Sequence, residues 1–217
     1  MNVLNVKCIE KTYQQKKYIK SLRNVNKKVS IVTGPAGTGK TLFACEEAAY
    51  GYTENKYKKI IITRPIIGVD EDLGYLPGTY QDKLSPWLRP ITDILKEYFS
   101  TYQLYKMNEN EHIEIAPLSY MRGRTFNNSC IIADEMQNST PNQMKMLLTR
   151  IGYDSKMIVI GDNEQSDLKE KNGLEDIIER IEDRNVEKLE YIDYVILKED
   201  DIKRHPAVSE INSLYTS

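Results

Sequence analysis

The stretch "VSIVTGPAGTGKTLFACEEAAY", residues 29–50, decides the fold. Val29–Thr33 reads as a short strand buried on both faces, and Thr41–Tyr50 reads as a helix. Between them, Gly34-Pro35-Ala36-Gly37-Thr38-Gly39-Lys40-Thr41 fits the pattern G-x-x-x-x-G-K-[ST] in the strand–loop–helix context that the pattern needs. Its glycines let the backbone bend so that successive N–H groups face a polyphosphate, and the helix N-terminus adds the positive end of its dipole. Lys40 is placed to reach the β- and γ-phosphates, and the Thr41 hydroxyl to bind magnesium. The spacing predicts a chain that binds a nucleoside triphosphate together with Mg2+.

Further strand-like runs lie at Lys59–Thr63, Ile113–Ala116, Cys130–Ala133, Lys156–Ile160 and near Tyr191–Leu197. Most are short, continuous and rich in Ile and Val, as strands covered on both faces require. Helical patterns separate them. Leu88, Ile91, Leu95 and Tyr98 share one face of a second helix. Met144, Leu147, Leu148 and Ile151 line a third, with Ser139 or Thr140 as cap, Pro141 in the first turn and Gly152 at the end. Leu174, Ile177, Ile178 and Ile181 line a fourth. Strands alternating with helices predict an α/β fold, a mainly parallel central sheet covered by helices on both faces, which together with the glycine loop is expected to be of the P-loop NTPase (RecA-like) class. The length suits a single domain over residues 1–217. One stretch fits neither pattern: "RPIIGVDEDLGYLPGTYQDKLSPW", residues 64–87, is a long Gly- and Pro-punctuated connection. Its apolar residues argue for an ordered loop with a functional or oligomer-contact role.

The run "IIADEMQN", residues 131–138, ends an apolar strand with two adjacent acids. A phosphate cradle needs a carboxylate at a neighbouring strand end to hold magnesium, and Asp134 is placed for it. Glu135 suits a different task, since a base beside the γ-phosphate orients and polarises an attacking water. The pair divides labour between metal and water, which favours hydrolysis. In "MIVIGDNEQSDL", residues 157–168, Gln165 follows the next strand and could sense the γ-phosphate or position water. Asp162 and Asp167 read as turn and cap residues.

A net charge of −2 excludes a protein basic all over but not a local basic patch. Residues 1–28 form a basic segment, whereas residues 162–201 are strongly acidic. Such asymmetry suits a nucleic-acid face, a head-to-tail contact between copies, or plain solvated surface. Cys8, Cys45 and Cys130 lack metal-ligand spacing and read as small core residues. No apolar run approaches the roughly 18 residues of a membrane span, and the first residues carry no signal-peptide apolar core. The expectation is a cytoplasmic protein with no membrane partner.

With these residues in hand, the chain resembles the PhoH family of P-loop ATPases, related to superfamily 1 helicases. The resemblance is carried by "GPAGTGKT", "ITRPIIGVDEDLGYLPG" (62–78), "SYMRGRTF" (119–126), "IIADEMQN", "KMLLTRIGYDSK" (145–156), "IGDNEQSDL" (160–168) and "IKRHPAVSEI" (202–211). It implies an ATP hydrolase that couples turnover to RNA or another single-stranded nucleic acid, as a homo-oligomer for which a hexameric ring is one form. It implies that Gln15, in "TYQQKKY", reads adenine, for which a glutamine amide has the right donor–acceptor pair. It implies that Arg204, in the C-terminal segment 199–217, serves as an arginine finger. Arg64, Arg122 and Arg124 lie in loops next to strands and could contact phosphate of RNA or of the nucleotide. A P-loop phosphotransferase and a non-catalytic ATP-dependent switch stay open as alternatives, the first disfavoured by the Asp134–Glu135 pair.

Overall fold

In every central strand the side chains alternate between two apolar layers, and both layers have to be covered. Ile60, Ile62, Cys130, Ile132, Ile158 and Ile160 face one core. Ile61, Ile131, Ala133, Met157 and Val159 face the other. Each such side chain, fully withdrawn from water, stabilises the fold by roughly 1.5–3 kcal/mol. A strand with two buried faces has no room for the polar alternation of a half-exposed sheet, which is why the runs of Ile and Val are continuous.

The computed structural model describes residues 11–65, 89–184 and 188–203. In chain order these form α1 (Tyr13–Arg23), β1 (Val29–Thr33), α2 (Lys40–Thr53), β2 (Lys59–Thr63) and the helix α3 (residues 89–95). Then come α4 (Thr101–Glu109), β3 (Ile113–Ile115), β4 (Ser129–Ala133), α5 (Pro141–Leu148), β5 (Lys156–Gly161), α6 (Gly173–Arg184) and β6 (Ile192–Ile196). The strands build one six-stranded sheet in the order β3-β2-β4-β5-β1-β6. Every neighbouring pair is parallel. Side chains of α1, α2, α3 and α4 pack in the first core, and those of α5 and α6 in the second. The architecture is the α/β arrangement expected, with helices on both faces.

The structure departs from the sequence reading in three places. The third expected helix, α5, begins at its Thr140 cap but ends at Leu148 rather than running to Gly152. Ile151 instead bridges to Phe126, where the Gly152 N–H donates to the Phe126 carbonyl at 2.8 Å. Helices α1 and α4 were not anticipated, because their apolar stripes are thin: Met107 is the buried residue of α4, and α1 buries Tyr18 and Leu22 beside polar Gln15 and Ser21. The loop 64–87 beyond Pro65, Leu88 and Cys8 lie outside the described residues. Cys45 and Cys130 are buried free thiols, as core residues should be.

Lys156, at the start of β5, is only 4 % exposed. Its ammonium donates to the carbonyls of Ser21 (2.9 Å), Lys27 (2.9 Å) and Asn24 (3.4 Å), so it fastens the C-terminal end of α1 to the sheet. A cation at that helix end also meets the negative pole of the helix dipole. Burial pushes the Lys156 ammonium down from its ordinary 10.5 to about 8, with Glu47 pulling the other way. Between those values the unfolded chain binds more protons than the folded one, so folding grows more favourable as pH rises through that window. Wild-type protein is expected to gain stability relative to Lys156→Met between pH 8 and 10.5, and to hold a constant difference from pH 6 to 7.5. Urea denaturation of both proteins across that range checks the sign.

Candidate functional site

Because all strands run in one direction, their C-terminal ends share one edge of the sheet, and the segments that follow them emerge there. After β1 the chain enters the glycine loop, where Gly34, Gly37 and Gly39 take φ of 151°, 88° and 91°. These left-handed values are costly for any residue with a Cβ. They turn the loop so that α2 begins at Lys40, aimed at the same edge. The Lys40 ammonium donates to the carbonyls of Gly34 and of Pro35 (2.9 Å for the latter). Thr38 is fully buried, and its hydroxyl donates to the Pro35 carbonyl at 2.8 Å, bracing the loop from inside.

One strand, β5, lies between β1 and β4. It sets the width of a cleft of about 240 Å³, lined by Ala36, Gly37, Gly39, Lys40 and Thr41 on one side and by Asp134, Glu135, Gly161, Asp162 and Gln165 on the other. Of the expected residues, Ala36, Gly37, Gly39, Lys40, Thr41, Asp134, Glu135 and Gln165 meet in this cleft, whereas Gly34, Pro35 and Thr38 do not line it. Gln165 is exposed at its mouth, and the Asp162 carboxylate accepts from the Glu164 N–H at 3.1 Å, the turn role read from sequence.

Asp134 is 3 % exposed. Its Oδ2 accepts from Arg64 Nε at 3.0 Å and from a second guanidinium nitrogen, while its Oδ1 lies 3.4 Å from the Thr41 hydroxyl. Burial pushes the Asp134 carboxyl above the usual carboxylate range; Arg64 opposes that rise and Glu135 adds to it. The arrangement leaves Oδ1 beside Thr41 as a pair of hard oxygen donors. That suits a magnesium ion, which keeps waters and phosphate oxygens as its other ligands and needs few protein groups. Among the described residues there is no group of three or more His, Cys, Asp or Glu that could form an all-protein cage.

Glu135 sits in the left-handed region at φ 55° and ψ 36°, starting a short 3-10 turn over Met136–Asn138. A residue other than glycine held there costs on the order of 1–3 kcal/mol, and such strain gathers at functional positions. Its carboxylate accepts from Gln137 Nε2 at 2.7 Å. Gln137 is 1 % exposed, and its Oε1 accepts from the Asp162 N–H at 3.1 Å. Gln137 therefore ties the end of β4 to the end of β5 and holds Glu135 in place. It was missed from sequence, although its place directly after the acid pair, in "DEMQN", was the available signal.

Arg64, Arg124 and Gln15 make their contacts within the protein. Arg64, expected to contact phosphate, is 9 % exposed and committed to Asp134. Arg124 forms a two-pronged ion pair with Glu114, at 2.8 Å for one prong, and stacks 4.7 Å over the Phe126 ring. Gln15 is 2 % exposed, and its amide donates to the carbonyls of Thr38 (3.1 Å) and Asp201 (2.9 Å) while accepting from the Thr12 N–H at 3.1 Å. Reading adenine would require that amide to surrender bonds it already makes. Arg122 is exposed, and Arg204 lies outside the described residues.

A glycine loop at the end of β1, a paired carboxylate two strands away and a parallel sheet between helix layers define the P-loop NTPase fold class. Within it, a family model described as PhoH-like protein matches residues 7–216, and the chain belongs to the PhoH family. It is 42 % identical to a PhoH-like protein of Synechocystis over 207 residues, covering 94 % of this chain and 61 % of that protein. A PhoH-like protein of Bacillus subtilis is 41 % identical over 207 residues, with 94 % and 63 % covered. Protein PhoH of Escherichia coli K12 is 42 % identical over 170 residues, with 76 % and 48 % covered. The chain thus spans between about half and two thirds of the length of these relatives. Among the described residues, no helix is long and apolar enough to cross a membrane.

Removing Arg64 leaves a buried carboxylate without its cation, a change that typically costs about 3 kcal/mol or more. Arg64→Ala is expected to lose that much stability at pH 7.5 without magnesium. The unpaired Asp134 has a still higher folded-state pKa, so the stability it allows is present at low pH and lost as pH rises through that value. The deficit should therefore shrink at pH 5. Chemical denaturation at both pH values measures it.

Proposed function

We propose that this chain hydrolyses ATP to ADP and phosphate in the cleft between the glycine loop and Asp134–Glu135. The observation that carries the reading is Glu135: a carboxylate in the cleft wall, held by Gln137 at 2.7 Å on a backbone twisted into the left-handed region. A phosphotransferase has no need for a second carboxylate fixed beside the metal-holding one, whereas a hydrolase needs a base for water.

The loop N–H groups and Lys40 bind the phosphates, with Lys40 exchanging its carbonyl partners for phosphate oxygens. Thr41 and Asp134 would hold a magnesium ion, which would supply positive charge against the phosphates. Glu135 orients the attacking water and takes its proton, and Gln165 senses the γ-phosphate, a role its place in the cleft lining supports. Adenine as the base, and Arg204 as a finger supplied within the chain or from a neighbouring copy, follow from family membership. Coupling to RNA or another single strand, and assembly of a homo-oligomer such as a hexameric ring, belong to the same proposal. The basic helix α1, with Lys16, Lys17 and Lys20 in it, supports an anionic partner.

Glu135→Gln is expected to keep ATP affinity while lowering turnover by about a hundredfold or more, the usual contribution of a positioned base. Phosphate release and equilibrium nucleotide binding separate the two quantities. A variant with unchanged turnover, or wild-type protein that releases no phosphate with magnesium present, would sink the hydrolase reading in favour of a switch. Running the same assay with and without RNA, alongside native mass, tests the partner and the assembly.

A further inference from the structure

A second cavity, of about 560 Å³, lies where α2 ends and β2 and β3 begin. Helix α2 starts at Lys40 in the P-loop cleft and ends at Thr53 in this cavity's wall, so its 14 residues separate the two places by about 20 Å. The volume falls in the range of small-molecule sites. We propose that this cavity binds one nucleotide unit, its base between the aromatic walls and its phosphate at the rim, as a free mononucleotide or as part of a single strand.

The walls are aromatic. Tyr52, Tyr57, Phe99 and Tyr102 line the cavity. Tyr52 and Phe99 meet edge to face, with centroids 5.9 Å apart and planes at 87°. The Tyr52 hydroxyl shares a 2.7 Å hydrogen bond with His112 Nδ1, which fixes that ring's rotation. The Tyr57 ring lies so close to Gly51 that a Cβ there would collide with it. A glycine inside a helix is destabilising, and here it admits one aromatic wall. Tyr102, by contrast, is 69 % exposed, a large ring left open to stack on something planar.

The edges suit a base and a phosphate. Asn55 and Asn110 line the cavity and offer both donors and acceptors, as a nucleobase edge requires, and Gln103 adds its Nε2 donor, its Oε1 accepting from the Ser100 N–H at 2.9 Å. Lys58, which is exposed, also lines it, as does Lys106, whose ammonium pairs with Glu109 at 2.6 Å. Aromatic stacking beside basic groups is the usual means of holding single-stranded nucleic acid. Because α2 joins this wall to Lys40, and β2 leads from it to Arg64, an occupant would bear on both sides of the P-loop cleft. Where the occupant is part of a strand, this rests on the nucleic-acid partner proposed above.

The test uses the full chain, a fluorescein-labelled ten-nucleotide oligouridylate followed by anisotropy, and uridine monophosphate as competitor. Tyr102→Ala and Lys58→Glu are each expected to weaken binding about tenfold, the effect of losing one stacked base or one phosphate contact. Both positions are exposed, so folding is not at stake, and circular dichroism confirms it. Displacement of the strand by the mononucleotide identifies the free nucleotide as ligand; strand binding that resists it identifies the strand. Binding unaffected by either variant, or lost instead with Lys40→Ala, overturns the proposal while leaving the nucleic-acid reading intact. If neither probe binds, both fall, and phosphate release still decides hydrolysis separately.

Discussion

A carboxylate removed from water must find a cation or take up a proton, and Asp134 is the place where this chain meets that demand. Arg64 answers it from the end of β2. The pairing is possible because β2 and β4 are neighbours with Thr63 opposite Ala133, so the residues that follow each strand emerge side by side. One oxygen of Asp134 is used by the guanidinium and the other is left toward Thr41. The ion pair thus does two things at once. It compensates burial, and it turns the carboxylate so that a single oxygen faces the hydroxyl at the start of α2.

The inserted strand β5 gives the cleft its width, and Gln137 keeps that width constant. Its amide joins Glu135 on one side to the Asp162 N–H on the other. Gly161 has no space for a side chain beneath this bridge: a Cβ would lie 2.6 Å from Gln137 Oε1 and 2.6 Å from Leu174 Cδ2. The left-handed backbone at Glu135 persists because the turn after it is fastened from below, with Ser166 donating to the Gln137 carbonyl at 2.9 Å and Gly173 to the Ser139 carbonyl at 2.6 Å. Strain at the acid is held in place by contacts that reach as far as the start of α6.

What was legible in the sequence was what is local or periodic. The Ile- and Val-rich strands announce themselves because both faces are buried, and the glycine loop because its pattern spans adjacent residues. Helices α1 and α4 carry only thin apolar stripes, yet each opens with the same reciprocal cap that opens α5: Thr12 with Gln15, Ser100 with Gln103 and Thr140 with Gln143. That signal does not depend on burial, so it survives where amphipathicity is weak. The partners of Arg64, Arg124 and Gln15 were invisible for the opposite reason. An arginine in a loop looks like a phosphate ligand until the fold brings Asp134 or Glu114 against it, and nothing in the linear order says that it will.

Gln15 braces the glycine loop from behind. Its two amide hydrogens satisfy carbonyls of Thr38, in the glycine loop, and of Asp201, near the end of the described chain. Thr12, its capping partner, donates to the Asp201 carboxylate, and the Tyr18 hydroxyl donates to the Lys40 carbonyl at 3.0 Å. Helix α1 therefore holds the carbonyl side of the glycine loop, which leaves the N–H side for an anion. The Lys203 N–H reaches the Gly37 carbonyl at 3.4 Å, so the segment 199–203 rests on the same loop. Lys156 fixes the far end of α1, and the helix cannot follow a movement of the loop without breaking one set of bonds or the other.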